Sequence, residues 1–128
     1  MDRQEHRELD QPLMSFDTSA EIAKLKAGAQ WQSGSRAATV LIKNDTIRIV
    51  LVALHKGGVL HEHRAEGPIT FSVLEGSFRF SVGAESHTLG RGAILTLGDG
   101  IRHEVEALED SAFALTVIQP GRQGRPQS

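Results

Sequence analysis

The chain has no cysteine. Disulfides, thiolate metal ligands and cysteine nucleophiles are therefore excluded. The same lack fits a reducing compartment, so a cytoplasmic location is the expectation. No run of residues is long and apolar enough to span a membrane as a helix. The opening stretch Met1-Asp2-Arg3-Gln4-Glu5-His6-Arg7-Glu8 is charged and has no apolar centre, so it does not read as a secretory signal. Lys and Arg number 14 against 16 Asp and Glu, a net charge of -2. That balance gives no electrostatic case for nucleic acid or an anionic membrane surface as partner. The glycine-rich turns lack a phosphate-loop pattern, and there is no internal duplication and no helix-turn-helix pattern.

What is present points to strands. The 128 residues suffice for one domain with a single core, and 13 glycines are scattered between short apolar runs, as in an all-β protein. Residues 1–16 are mostly polar and read as an arm that Leu13 and Phe16 could anchor. Thr18-Ser19-Ala20-Glu21 fits a capping box, and Gly28 can stop the short helix that follows. Its apolar stripe is too brief to stand alone, so it should pack on the main body. From Arg36 the pattern changes. Strands are expected over 38–43, 46–54, 59–63, 69–75, 77–82, 85–89, 93–97, 102–108 and 111–118. Ile47 to Ala53 is mostly apolar on both faces, which predicts a strand covered on two sides. Phe78, Phe80 and Val82 share one face of their strand, and His103, Val105 and Ala107 share one face of theirs. Eight to nine short strands with regular turns predict a sandwich or barrel. The expected organisation is an arm and short helix over 1–35, a β-barrel over 36–120 and a flexible tail over 121–128.

One stretch carries the chemistry: Gly57-Gly58-Val59-Leu60-His61-Glu62-His63. Side chains two apart in a regular strand share a face, roughly 6.6 Å from one another. Two imidazoles so placed can lean onto one metal ion, and His103 is a third candidate ligand far along the chain.

These residues resemble the two motifs of the cupin superfamily. In the first, His61 and His63 match a His-x-His pair, and Val73-Leu74-Glu75-Gly76 matches the strand end and glycine that follow. In the second, Gly92, Gly100 and His103 match, with Gly98 in place of a proline. The resemblance covers about 46–120 and implies a single jelly-roll β-barrel. It departs from the family pattern where that pattern has a glutamate. Counting from either side, the slot falls on Ile69, Gly67 or Pro68, and Glu66 is expected on the loop because Gly67-Pro68 follows it. The late asparagine slot is Ala107. The resemblance thus implies three histidine ligands with no carboxylate.

Such a set leaves positions open on the ion, as in catalytic sites. Imidazole suits several divalent ions: iron or zinc first, with nickel, manganese or copper as alternatives. Neutral ligands leave the ion its full charge, so it would be a strong Lewis acid, but no general base stands beside it. Oxygen activation of a dioxygenase-like kind or metal-water chemistry therefore ranks above proton abstraction. Ile69, Phe71, Val73, Phe78 and Phe80 have the parity of an apolar pocket wall, although core packing is the commoner fate of such residues. Asp99 reads as a turn residue that could approach the mouth, and Arg91 and Arg102 could attract an anion. His55 reads as a strand-end residue, while His87 and His6 read as surface residues. Trp31 reads as packing the arm on the barrel. The resemblance also implies a homodimer, and the strand over 38–43 could lie at a sheet edge that needs covering. Three functional readings follow: a small metal enzyme acting on a partly apolar molecule, a non-catalytic small-ligand binding or sensing module, and a structural barrel whose histidines hold nothing.

Overall fold

The computed structural model describes residues 13–64 and 67–119, apart from the side chains of Glu62 and His63. The expected arm lies mostly outside the described residues, with His6 and Glu66, and so does the expected tail.

Two helices precede nine strands among the described residues. Helix α1 (Thr18–Ala27) begins one residue earlier than the capping box suggests. The cap is Asp17, whose carboxylate accepts from the backbone N–H groups of Ser19 and Ala20. An ionised carboxylate is a stronger acceptor than the Thr18 hydroxyl and also opposes the helix dipole. Gly28 ends α1 as expected, but the chain then turns directly into a second short helix, α2 (Ala29–Ser33), which the sequence reading did not anticipate.

The strands are β1 (Arg36–Lys43), β2 (Ile47–Leu54), β3 (Val59–Arg64), β4 (Ile69–Glu75), β5 (Ser77–Val82), β6 (Glu85–Gly90), β7 (Ile94–Leu97), β8 (Arg102–Ala107) and β9 (Ser111–Ile118). They form two facing antiparallel sheets. One has the order β1-β2-β9-β4-β7, the other β3-β8-β5-β6. The sheets do not close into a continuous barrel, but their packing is that of a jelly roll. No helix among the described residues is long and apolar enough to cross a membrane.

Alternation places the core. Val52, Leu54, Phe71, Val73, Phe78, Phe80, Val105, Ala107 and Phe113 meet between the sheets. Phe71 organises this layer. Its ring stacks on Phe113 at 4.3 Å and meets Phe78 and Phe80 edge-on at 5.4 and 5.1 Å, geometries that suit the ring quadrupoles. The opposite face of β2 packs against the helices through Ile22, Trp31, Ala37, Leu41, Leu51 and Ala53. β2 is therefore covered on both sides, which is why its sequence shows no clean alternation.

The end of the sandwich away from His103 is tied tightly. Gly76 turns the chain between β4 and β5 with φ +74°. A Cβ there would lie 2.0 Å from the Ser111 hydroxyl oxygen and 2.7 Å from the Asp110 carbonyl, so only glycine fits. The buried Ser111 hydroxyl accepts from the Ser77 N–H at 2.9 Å and donates to the Glu109 carbonyl at 2.7 Å. Backbone bonds between Gly57 and Ala107, Ala107 and Gly58, and Leu108 and Ser77 complete the closure.

Candidate functional site

His103 is the anchor of the opposite end. It lies on β8 in phase with Val105 and Ala107, and its side chain is buried, with 4% of the residue exposed. The imidazole stacks on Phe80 with planes 8° apart and centroids at 5.3 Å. Its Nδ1 is 3.1 Å from the Ile101 carbonyl oxygen. A carbonyl only accepts, so this bond places a proton on Nδ1. Fixing the tautomer through a backbone carbonyl is the usual way a metal-binding imidazole is oriented.

β3 pairs with β8 to bring the other candidates near. His63 lies directly opposite His103 in the ladder. The expected regular two-residue spacing from His61 to His63 does not hold, however. The register runs Leu60 with Val105, then His63 with His103, so two residues of β3 face the single residue Glu104. This extra residue shifts the phase of the strand. Accordingly, His61 has a side chain 84% exposed, with its Nδ1 3.6 Å from the Glu104 carboxylate. Among the described residues no group of three His, Asp or Glu side chains is placed to hold one ion; the His63 imidazole lies outside that description.

The expected wall residues Ile69, Phe71, Val73, Phe78 and Phe80 are all buried, at 2% exposure or less. Phe71, Val73, Phe78 and Phe80 belong to the central layer, while Ile69 sits one rung nearer the histidine end. The charged candidates sort differently. Arg91 is exposed in the β6–β7 turn, at the end away from His103, and Arg102 and Asp99 are exposed. Arg102 pairs in the ladder with the exposed Arg64. His87 is on the surface, 3.7 Å from Glu85. His55 has a larger structural part than a strand end suggests. Its ring stacks on Trp31 at 3.4 Å, and its Nε2 is 3.0 Å from the Trp31 carbonyl oxygen. Trp31 is buried, so it fastens α2 to the sheet.

One residue escaped the sequence reading. Arg48 shares the face of Val50, Val52 and Leu54, which pack in the inter-sheet core. Its neighbours across the sheet are Lys43 of β1 on one side and Val117, then Ile69, then Leu97 on the other. The Arg48 Nε is buried and has no hydrogen-bond partner. The signal was a lone Arg in an otherwise apolar strand, where two-residue spacing puts it on the face of Val50 and Val52.

A model of the cupin domain matches residues 50–119. No curated protein matches the chain. Solved structures share the fold at low identity. A cupin-2 domain containing protein from Shewanella frigidimarina is 16% identical, with 81% of this chain and 94% of that one covered and a TM-score of 0.66. KdgF from Halomonas sp. is 21% identical over 64% of this chain and 78% of that one, at a TM-score of 0.61. A salicylate 1,2-dioxygenase mutant from Pseudoaminobacter salicylatoxidans is 13% identical, with 80% of this chain and 34% of that one covered and a TM-score of 0.69.

Proposed function

Because the chain belongs to the cupin domain family, we propose that it binds a divalent metal ion, iron or zinc first, through His61, His63 and His103, and that it acts on a small, partly apolar molecule held between the sheets. The observation that supports this reading is the buried His103, whose Nδ1 bond to the Ile101 carbonyl fixes the orientation of the imidazole. The ladder partner of that residue is His63. His61 is the member that has to move, leaving Glu104 as the extra residue in β3 is taken up. A bound ion would supply Lewis acidity and, for iron, redox chemistry toward oxygen. The chain's own part is to fix the imidazole tautomer, to stack His103 against Phe80 and to keep water out with an apolar wall.

A second reading, a non-catalytic module that holds a small ligand, is favoured by one fact. Among the described residues the only buried polar or charged side chains are His103 and Ser111, so no buried carboxylate stands ready as a base. We further propose a homodimer. β1 is an edge strand of the five-stranded sheet, and Val40 on it is 44% exposed, an edge that pairing with a second copy would cover.

Calorimetric titration of chelator-treated protein with zinc and, without oxygen, with ferrous iron tests the metal reading. One ion per chain, weakened by replacing each of the three histidines with alanine, is expected. Absence of binding to the unaltered protein overturns it. Oxygen consumption by iron-loaded protein with a panel of small aromatic and aliphatic acids separates the enzyme from the binding module.

A further inference from the structure

We propose that Arg48 is an anion-recognition residue at the His103 end of the sandwich, and that the ligand it takes is a small monocarboxylate with an apolar body. The inference deepens the small-molecule reading above and rests on that part of it, but it does not depend on the metal.

Three observations converge. The first is the place of Arg48 among the core rungs. On the five-stranded sheet, the inward residues run in steps from Val52, Phe113 and Val73, through Val50, Leu115 and Phe71, to Arg48, Val117 and Ile69. On the facing sheet, the steps run from Phe78 and Ala107, through Phe80 and Val105, to His103. Phe113 meets Phe78, and Phe71 meets both Phe78 and Phe80. The two series therefore run in the same direction. Arg48 and His103 occupy the rung beyond the aromatic layer at the same end, on sheets about 10 Å apart.

The second observation is the unsatisfied donor. The Arg48 Nε is buried without a hydrogen-bond partner, and among the described residues no carboxylate forms an ion pair with this guanidinium. The side chain as a whole is only partly buried, but an enclosed N–H is ordinarily matched, and a planar fork of donors matches a carboxylate in two parallel bonds. The third is the surroundings. On one side the neighbours of Arg48 on the rung, Val117, Ile69 and Leu97, are apolar, as are Val50 and Leu115 one step inward; on the other side its ladder partner is the exposed Lys43 of β1. A carboxylate on an apolar body would offer its charged end to Arg48 and bury the remainder against Val117, Ile69 and Leu97. The exposed Arg91 and Arg102 have no such enclosure.

Benzoate is the probe, with benzamide as its uncharged counterpart. Each is titrated calorimetrically into chelator-treated and into zinc-loaded protein. Saturable binding of benzoate is expected in both forms, with benzamide weaker by at least about tenfold. Arg48→Met, which keeps most of the side-chain volume, should weaken benzoate by a similar factor and leave benzamide unchanged. Arg48→Lys should fall between them. The Arg48 Nε–H resonance of the unaltered protein should move on addition of benzoate, a readout that does not rely on any variant folding. No saturable benzoate binding, equal binding by the Met variant, or an unmoved Nε–H resonance overturns the proposal. Benzoate binding without zinc uptake would remove the metal reading and leave this one standing. Zinc uptake without benzoate binding would do the reverse.

Discussion

His103 and Phe80 lie nearly parallel, their planes 8° apart, so the one buried imidazole of the described core is held on one side by a ring and at Nδ1 by a backbone carbonyl. A side chain fixed at two points gives up little further freedom on binding an ion. Replacement of Phe80 by leucine should therefore weaken zinc binding, by about tenfold, although Phe80 cannot touch the metal. Zinc titration of the variant alongside His103→Ala, which should lose far more, checks this ordering.

Arg48 supplies a stability test of its own. An unpaired buried donor costs about 1–3 kcal/mol. The Met variant at position 48 should match or exceed the unaltered protein in urea unfolding by about 1 kcal/mol, since it removes that cost and keeps the packing. Addition of benzoate should then stabilise the unaltered protein alone.

Gly76 should tolerate no other residue. Substitution by alanine forces a Cβ onto the Ser111 hydroxyl and requires a left-handed backbone. A loss of about 2–4 kcal/mol is expected. Ser111→Ala removes the clash partner but strands the Ser77 N–H, so it should cost about 1–3 kcal/mol alone. The double variant should be less destabilised than the sum, which denaturant unfolding of all three proteins measures.

Trp31 fastens the helices to the outer face of β2. Its replacement by alanine should cost about 3–5 kcal/mol and expose Ile22 and Leu51, which pack with it. Hydrogen exchange should speed up in α1 and α2 before it does in β4 or β9.

For the proposed dimer, light scattering should give twice the chain mass, and Val40→Lys on the β1 edge should return the monomer without lowering the melting temperature. A monomer mass for the unaltered protein would remove the proposal.

The strands were legible because their signal is local. Phe78-Arg79-Phe80 and His103-Glu104-Val105 alternate within a few residues, and glycines mark the turns between strands. β2 was legible for the opposite reason, since apolar residues on both faces announced a second covering layer. What escaped depends on partners distant in sequence or on one residue of backbone irregularity. α2 is five residues long and has no periodicity to detect, its position being set by Trp31 meeting His55. Asp17 won the cap from Thr18 through carboxylate strength. The extra residue between Leu60 and His63 leaves no mark in the sequence, yet it separates the surroundings of His61 from the rung of His103. Arg48 was visible as a charge in an apolar strand, but its lack of a partner is a property of three dimensions.

The glycine clasp at one end of the sandwich also has an evolutionary consequence. Gly76, Ser77, Ser111 and the backbone bonds around Ala107 sew that end shut, and main-chain bonds from Ile118 to Pro68 and from Gln119 to Thr46 tie the end where Arg48 sits. Replacement of the Arg48 side chain leaves those main-chain ties in place, whereas replacement of Gly76 does not, so the two ends should differ in how much sequence change they accept.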